Sequence, residues 1–127
     1  MMLQIPLHDY LVDDTYIHLT FAKNLVNENG FSFNPHEPTY GVTAPLWTVL
    51  LSLFAYVFHP TPLLAKLLSV LFGAFSIPVL YRLCRQLNLK IGYALSVAML
   101  WAVNVWHIRW AASGMETTLA VMLLLLG

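Results

Sequence analysis

The sequence predicts an all-α fold, a polytopic bundle of membrane-embedded helices with an amphipathic helix lying beside the bilayer. Three observations predict it. Of 127 residues, 59% are hydrophobic and 9% charged, with a mean hydropathy of +0.70; an ordinary soluble domain runs nearer half apolar and a quarter charged. The apolar residues come in long runs, broken by Pro, Gly and Asn or by Lys and Arg. One early stretch is instead amphipathic: at 100° per residue Leu19, Phe21, Ala22, Leu25 and Val26 fall on one side, while Thr20, Lys23, Asn24, Asn27 and Glu28 fall on the other.

The elements follow in order. Met1 to His8 has neither a basic n-region nor a long apolar core, so it is not a secretory signal. Residues 13–30 form the juxtamembrane helix, with Asp13 or Asp14 as N-cap and Asn29-Gly30 as its stop. Asp14 and His18 project to the N-terminal end of its apolar side, Asp13 toward the polar side. Residues 31–45, rich in Asn, Pro, Gly and Thr, read as an external loop. The apolar run 46–58 is closed by "HPTP"; a bilayer core needs about 20 helical residues, so this shorter run is a re-entrant or surface-lying helix. Residues 63–83 are long enough to cross, with Lys66 snorkelling and Pro78 placing a kink. Residues 91–108 make the next span, with Trp101, Trp106 and Trp110 available for an interfacial belt. A further span opens at Thr117, and 117–127 holds only its start, so the chain reads as a segment of a larger protein.

Sidedness follows from charge. Arg82, Arg85 and Lys90 crowd one short connection and place it in the cytoplasm. The flanking spans then carry Glu116 outside, and if 46–58 does not cross, Asp13 and Asp14 are outside as well. A crossing 46–58 would put the acid pair in the cytoplasm, opposite Glu116.

Function classes narrow accordingly. The formal net charge is zero and the six Lys and Arg are scattered, which leaves no basic stripe for nucleic acid. Cys84 stands alone, so neither a disulfide framework nor a Cys-rich metal site can be built. The site residues lie among the few charges. Adjacent Asp13 and Asp14 repel at a low-dielectric boundary, which tends to raise one pKa and suits a general base or a metal- or phosphate-linked site; the plainer reading is one N-cap with a solvated neighbour. His18 can orient a carboxylate, bind a metal or phosphate, or serve as a structural hydrogen-bonder. Glu116 precedes an apolar stretch, where an acid is costly unless paired or wet, although it also complements a helix dipole. His107 and Arg109 can hold an anionic head group or simply anchor the interface. Two Asp, one His and a distant Glu lack the fixed spacing of a metal site, so no metal or other cofactor is signalled.

Three segments, "DDTYIHLTFAKNLVNENGFSFNP", "YGVTAPLWTVLLSL" and "SGMETTL", together resemble the beginning of GT-C superfamily membrane glycosyltransferases, nearest the arabinofuranosyl and mannosyl transferase-like branch. The resemblance runs from Asp13 to Leu119. It implies an enzyme of the cell envelope that moves a sugar from a polyprenyl-phosphate donor to a glycan, lipid or protein acceptor on the extracytoplasmic side. It also implies that the catalytic base lies in the "DD", with Asp13 matching the family's first acid, whereas the helical projection turns Asp14 inward; both stay candidates. Glu116 of "SGME" matches a second external acid. Inverting transfer needs a base for the acceptor hydroxyl and a cation for the departing phosphate, and His107 and Arg109 are candidates for part of the latter. The span that precedes the acid pair in the family and most of the later spans are missing from this sequence. The alternatives from other classes are a fragment of a cation- or proton-coupled transporter, in which the acids bind the ion, and an inactive remnant.

Overall fold

A computed structural model describes residues 13–34, 37–39 and 41–127, the side chains of Asp13 and Pro38 excepted. The Met1 to His8 segment and the Asp13 side chain therefore lie outside the described residues. The fold is mostly helical, with α1 Asp13–Val26, α2 Pro45–Phe58, α3 Pro62–Gln86, α4 Ile91–Ala102, α5 Val105–Ala111 and α6 Thr117–Leu126. A small antiparallel hairpin, β1 Ser32–Asn34 and β2 Glu37–Pro38, lies between α1 and α2. Helix α1 packs on α2, while α3 packs on both α6 and α4. One apolar cluster ties α1, α2, α3 and α6 together through Leu19, Ala22, Trp47, Leu51, Leu68 and Leu119.

α1 stops earlier than Asn29-Gly30. The Asn29 amide donates to the Asn24 carbonyl and the Glu28 amide to Leu25, which is a Schellman closure. It puts Glu28, not a glycine, in the left-handed region at φ 60°. Asn24 also departs from its expected polar face. It is buried, and its side-chain amide donates to the carbonyls of Ser32 (2.9 Å) and Phe33 (2.8 Å), which fastens the hairpin beneath α1. The 31–45 segment thus contains two short strands where an irregular loop was expected.

Pro45 and Pro62 occupy first-turn positions of α2 and α3, where the missing amide costs nothing. The Thr61 side chain caps α3 at the Leu64 amide. α2 is 14 residues long, about 21 Å at 1.5 Å per residue, which is shorter than a bilayer core. It buries Trp47, Thr48, Leu51, Ser52 and Ala55 and exposes Leu53, Tyr56, Val57 and Phe58. α3 runs unbroken through Pro78 for 25 residues, and among the described residues it is the one helix long and apolar enough to cross a membrane.

The stretch 91–108 is not one straight helix. α4 and α5 meet at a 55° bend, and only as a bent pair are they long enough to cross. The cause is Asn104, whose side-chain oxygen accepts from the His107 amide at 3.1 Å and so starts a new helix.

α3 presents Ser69, Gly73 and Ser76, spaced four and three residues apart, to the helices that follow it. Ser69 Oγ donates to main-chain oxygen at Met115 (3.1 Å) and lies 3.1 Å from Thr118 Oγ1. Trp101 Nε1 donates to Ser76 Oγ at 3.0 Å. Small residues allow helices to approach closely, and hydroxyls crossing between them replace water as partners.

Candidate functional site

The site is built where the first half of α1, the beginning of α2 and the α5–α6 connection meet. α1 is anchored to that connection by Thr15, whose buried hydroxyl donates to the Ser113 carbonyl at 3.0 Å. One turn on, His18 is 1% exposed. Its Nδ1 lies 3.0 Å from Thr48 Oγ1 of α2, and its Nε2 lies 3.6 Å from Glu116 Oε2. Residues about 30 and 98 positions away along the chain thus converge on a single imidazole.

Glu116 is the N-cap residue of α6, yet its side chain makes no capping bond. Gly114, at φ 76°, turns the chain just before it, and the carboxylate is directed at His18 instead. Oε2 is buried and has no hydrogen-bond partner. Asp14 is exposed, although the helical projection turns it inward. The reason is local: at the first turn of α1 the connection covers Thr15, its neighbour, and leaves Asp14 facing out. Asp14 still acts electrostatically on His18, one turn below it.

His107 and Arg109 are placed differently. The buried His107 ring lies on Trp101 at 4.7 Å, and its Nε2–H donates to the Gly73 carbonyl at 3.2 Å, so this nitrogen holds α5 to α3. The Arg109 guanidinium sits over the Trp106 ring at 5.5 Å. A cavity of about 250 Å³ opens beside them, lined mainly by Trp101, Trp106, Trp110 and Thr118. Among the described residues, no cluster of three or more His, Cys, Asp or Glu is arranged to hold a metal ion.

Thr15, Thr48 and Ser113 complete the site and were not singled out from the sequence. A Thr or Ser inside an apolar run reads as neutral until its partner is known. The one available hint is that Thr48 falls in the first turn after "AP", one turn beyond Ala44.

Burial disfavours the imidazolium of His18 and holds its pKa below the usual histidine value, with the carboxylates of Glu116 and Asp14 opposing the shift. The folded chain therefore takes up this proton less readily than the unfolded chain. Stability is full above about pH 6.5 and declines as the pH falls below that toward the folded pKa. Thermal unfolding in detergent should show a lower midpoint at about pH 5.5 than at about pH 7.5, and His18→Gln should flatten that slope; identical slopes in both proteins would contradict the assignment.

No protein-family model matches the chain, and neither does any curated protein or solved structure.

Proposed function

We propose that the chain is part of a GT-C-type membrane glycosyltransferase that moves a sugar from a polyprenyl-phosphate donor to an extracytoplasmic acceptor. The observation that carries the reading is a convergence. Each of the three segments on which the resemblance rests contributes one side chain to the same cluster: His18 from the first, Thr48 from the second and Glu116 from the third. A buried ionisable group near lipid is costly, and the convergence of His18 with Glu116 therefore favours a use for the cluster beyond packing.

In this reading α3, the bent α4–α5 pair and α6 belong to the membrane bundle, and α2 dips in without traversing. Asp13, Asp14 and Glu116 then share the extracytoplasmic face. An exposed aspartate at the start of α1 takes the proton of the acceptor hydroxyl, and the lipid phosphate departs toward cationic groups, Arg109 being one candidate. Asp13→Asn and Asp14→Asn, each made in the full-length protein in native membranes, test it with a labelled polyprenyl-phosphate sugar. Loss of transfer by at least about 10²-fold in one of them, with expression intact, is the expected result. Undiminished turnover in both would defeat the reading. The paired His18 and Glu116 also favour a second reading, a proton-coupled transporter segment; proton flux that depends on Glu116, in the absence of sugar transfer, selects it.

A further inference from the structure

We infer that the end of the α3–α6 pair farthest from Glu116 binds an anionic phospholipid, with Arg82 holding the headgroup phosphate and apolar side chains of both helices flanking the lipid chains. The inference goes beyond glycosyl transfer: Glu116 stands at the beginning of α6, whereas this site lies at its other end. In the orientation that Arg82, Arg85 and Lys90 themselves set, it faces the cytoplasmic leaflet.

α3 ends in a tight turn that needs little help from side chains. The amides of Leu87, Asn88 and Leu89 donate to the carbonyls of Leu83, Arg85 and Cys84, with Asn88 in the left-handed region at φ 62°. Arg85 is used by this turn, its Nη1 donating to the Leu89 carbonyl at 2.6 Å. Arg82 is not: among the described residues nothing accepts a hydrogen bond from its guanidinium. Nor does the chain nearby offer it an acid, since the sequence from Pro38 to Met115 contains neither Asp nor Glu. Three cations thus gather at one helix end with no carboxylate to neutralise them.

Arg82 also lies beside a cavity. Val79, Arg82, Leu83 and Gln86 recur at helical spacing and share one stripe of α3. Together with Leu125 and Leu126 of α6 they line a space of about 250 Å³. Its polar side is the Arg82 guanidinium and the Gln86 amide, and its remaining walls are apolar. A guanidinium offers five N–H donors in a planar fork that matches two oxygens of one phosphate, and the amide adds further donors. The walls favour a phosphate carried by a lipid over one in solution. A lipid phosphate is already concentrated at the membrane surface, and its chains continue along Leu83 and Leu126, where inorganic phosphate has no counterpart. Charge then selects among lipids. A zwitterionic headgroup brings an ammonium into the field of three cations, whereas an anionic headgroup brings only complementary charge.

Native mass spectrometry of the full-length protein, released from micelles titrated with phosphatidylglycerol or with phosphatidylcholine of the same acyl chains, tests this directly. Phosphatidylglycerol should bind the more tightly. Arg82→Gln should weaken it by about fivefold or more, the worth of one cation at a membrane surface. Arg82 is exposed, so the replacement leaves the packing of α3 intact. Arg82→Lys keeps the charge but not the fork and should fall between the two. Lys23→Gln, which removes an exposed cation from α1, should bind like the unmodified protein. Inorganic phosphate in excess should not displace the lipid. Equal affinity for the two lipids, displacement by inorganic phosphate, an Arg82→Gln protein that binds normally, or equal losses in Arg82→Gln and Lys23→Gln each overturns the proposal. None of these outcomes bears on sugar transfer, which is read separately at Asp13 and Asp14.

Discussion

Trp47→Ala is expected to cost about 3–5 kcal/mol of stability, enough to unfold a marginal helical bundle. Trp47 is fully buried at the junction of α1, α2 and α3, packs edge-on against Phe72 with ring centroids 6.1 Å apart, and belongs to the one apolar cluster that ties α1, α2, α3 and α6 together. Its loss leaves a cavity next to Thr48 and so loosens the polar cluster as well. The informative control is Trp47→Phe. The indole Nε1 is buried without a hydrogen-bond partner, so phenylalanine gives up volume but also removes an unsatisfied donor, and the two effects oppose each other. Unfolding titrations in mixed micelles should place Trp47→Phe much nearer the unmodified chain than Trp47→Ala. Equal losses for both would mean that the indole nitrogen is satisfied after all.

Gly73→Leu should be comparably damaging, by about 3 kcal/mol or more, through overpacking. A Cβ at Gly73 would already sit 3.1 Å from Ala111 Cβ and 3.4 Å from Thr118 Cγ2, so a larger side chain must force α3 away from α5 and α6. That movement also breaks the His107 to Gly73 hydrogen bond and the Ser69 contacts to Met115 and Thr118. Gly73→Ala, which needs only a small give from its neighbours, grades the effect. The same unfolding titrations check the series, and a Gly73→Leu chain as stable as the unmodified one would show that α3 does not approach its partners this closely.

These two positions show how unevenly the fold is written in the sequence. Helix formation follows from the apolar runs, and the prolines and caps at Pro45, Thr61 and Pro62 mark where two helices begin. The pairing of His18 with its own apolar face is likewise visible from periodicity alone. The bend at Asn104 is less visible, because one asparagine in an apolar run does not reveal whether its side chain points at lipid or caps a new helix. The αL position at Glu28 is harder still, since the glycine two residues later offers the more obvious stop. Of the site, the ionisable members stand out in so apolar a chain, whereas Thr15, Thr48 and Ser113 acquire meaning only through partners tens of residues away.

The Asn24 side chain donates both of its amide hydrogens to consecutive main-chain oxygens, at Ser32 and Phe33. What it recognises is the path of the backbone, not the identity of the residues along it. Substitution at position 33 therefore leaves these two bonds intact so long as the chain keeps its course, and costs the contact of the Phe33 ring with Phe21 at 6.0 Å, while position 24 has almost no freedom: aspartate would set a negative charge against two carbonyls, and leucine would leave both oxygens without this donor. Drift in this region of the protein should consequently concentrate in the hairpin and spare the helix residue that grips it.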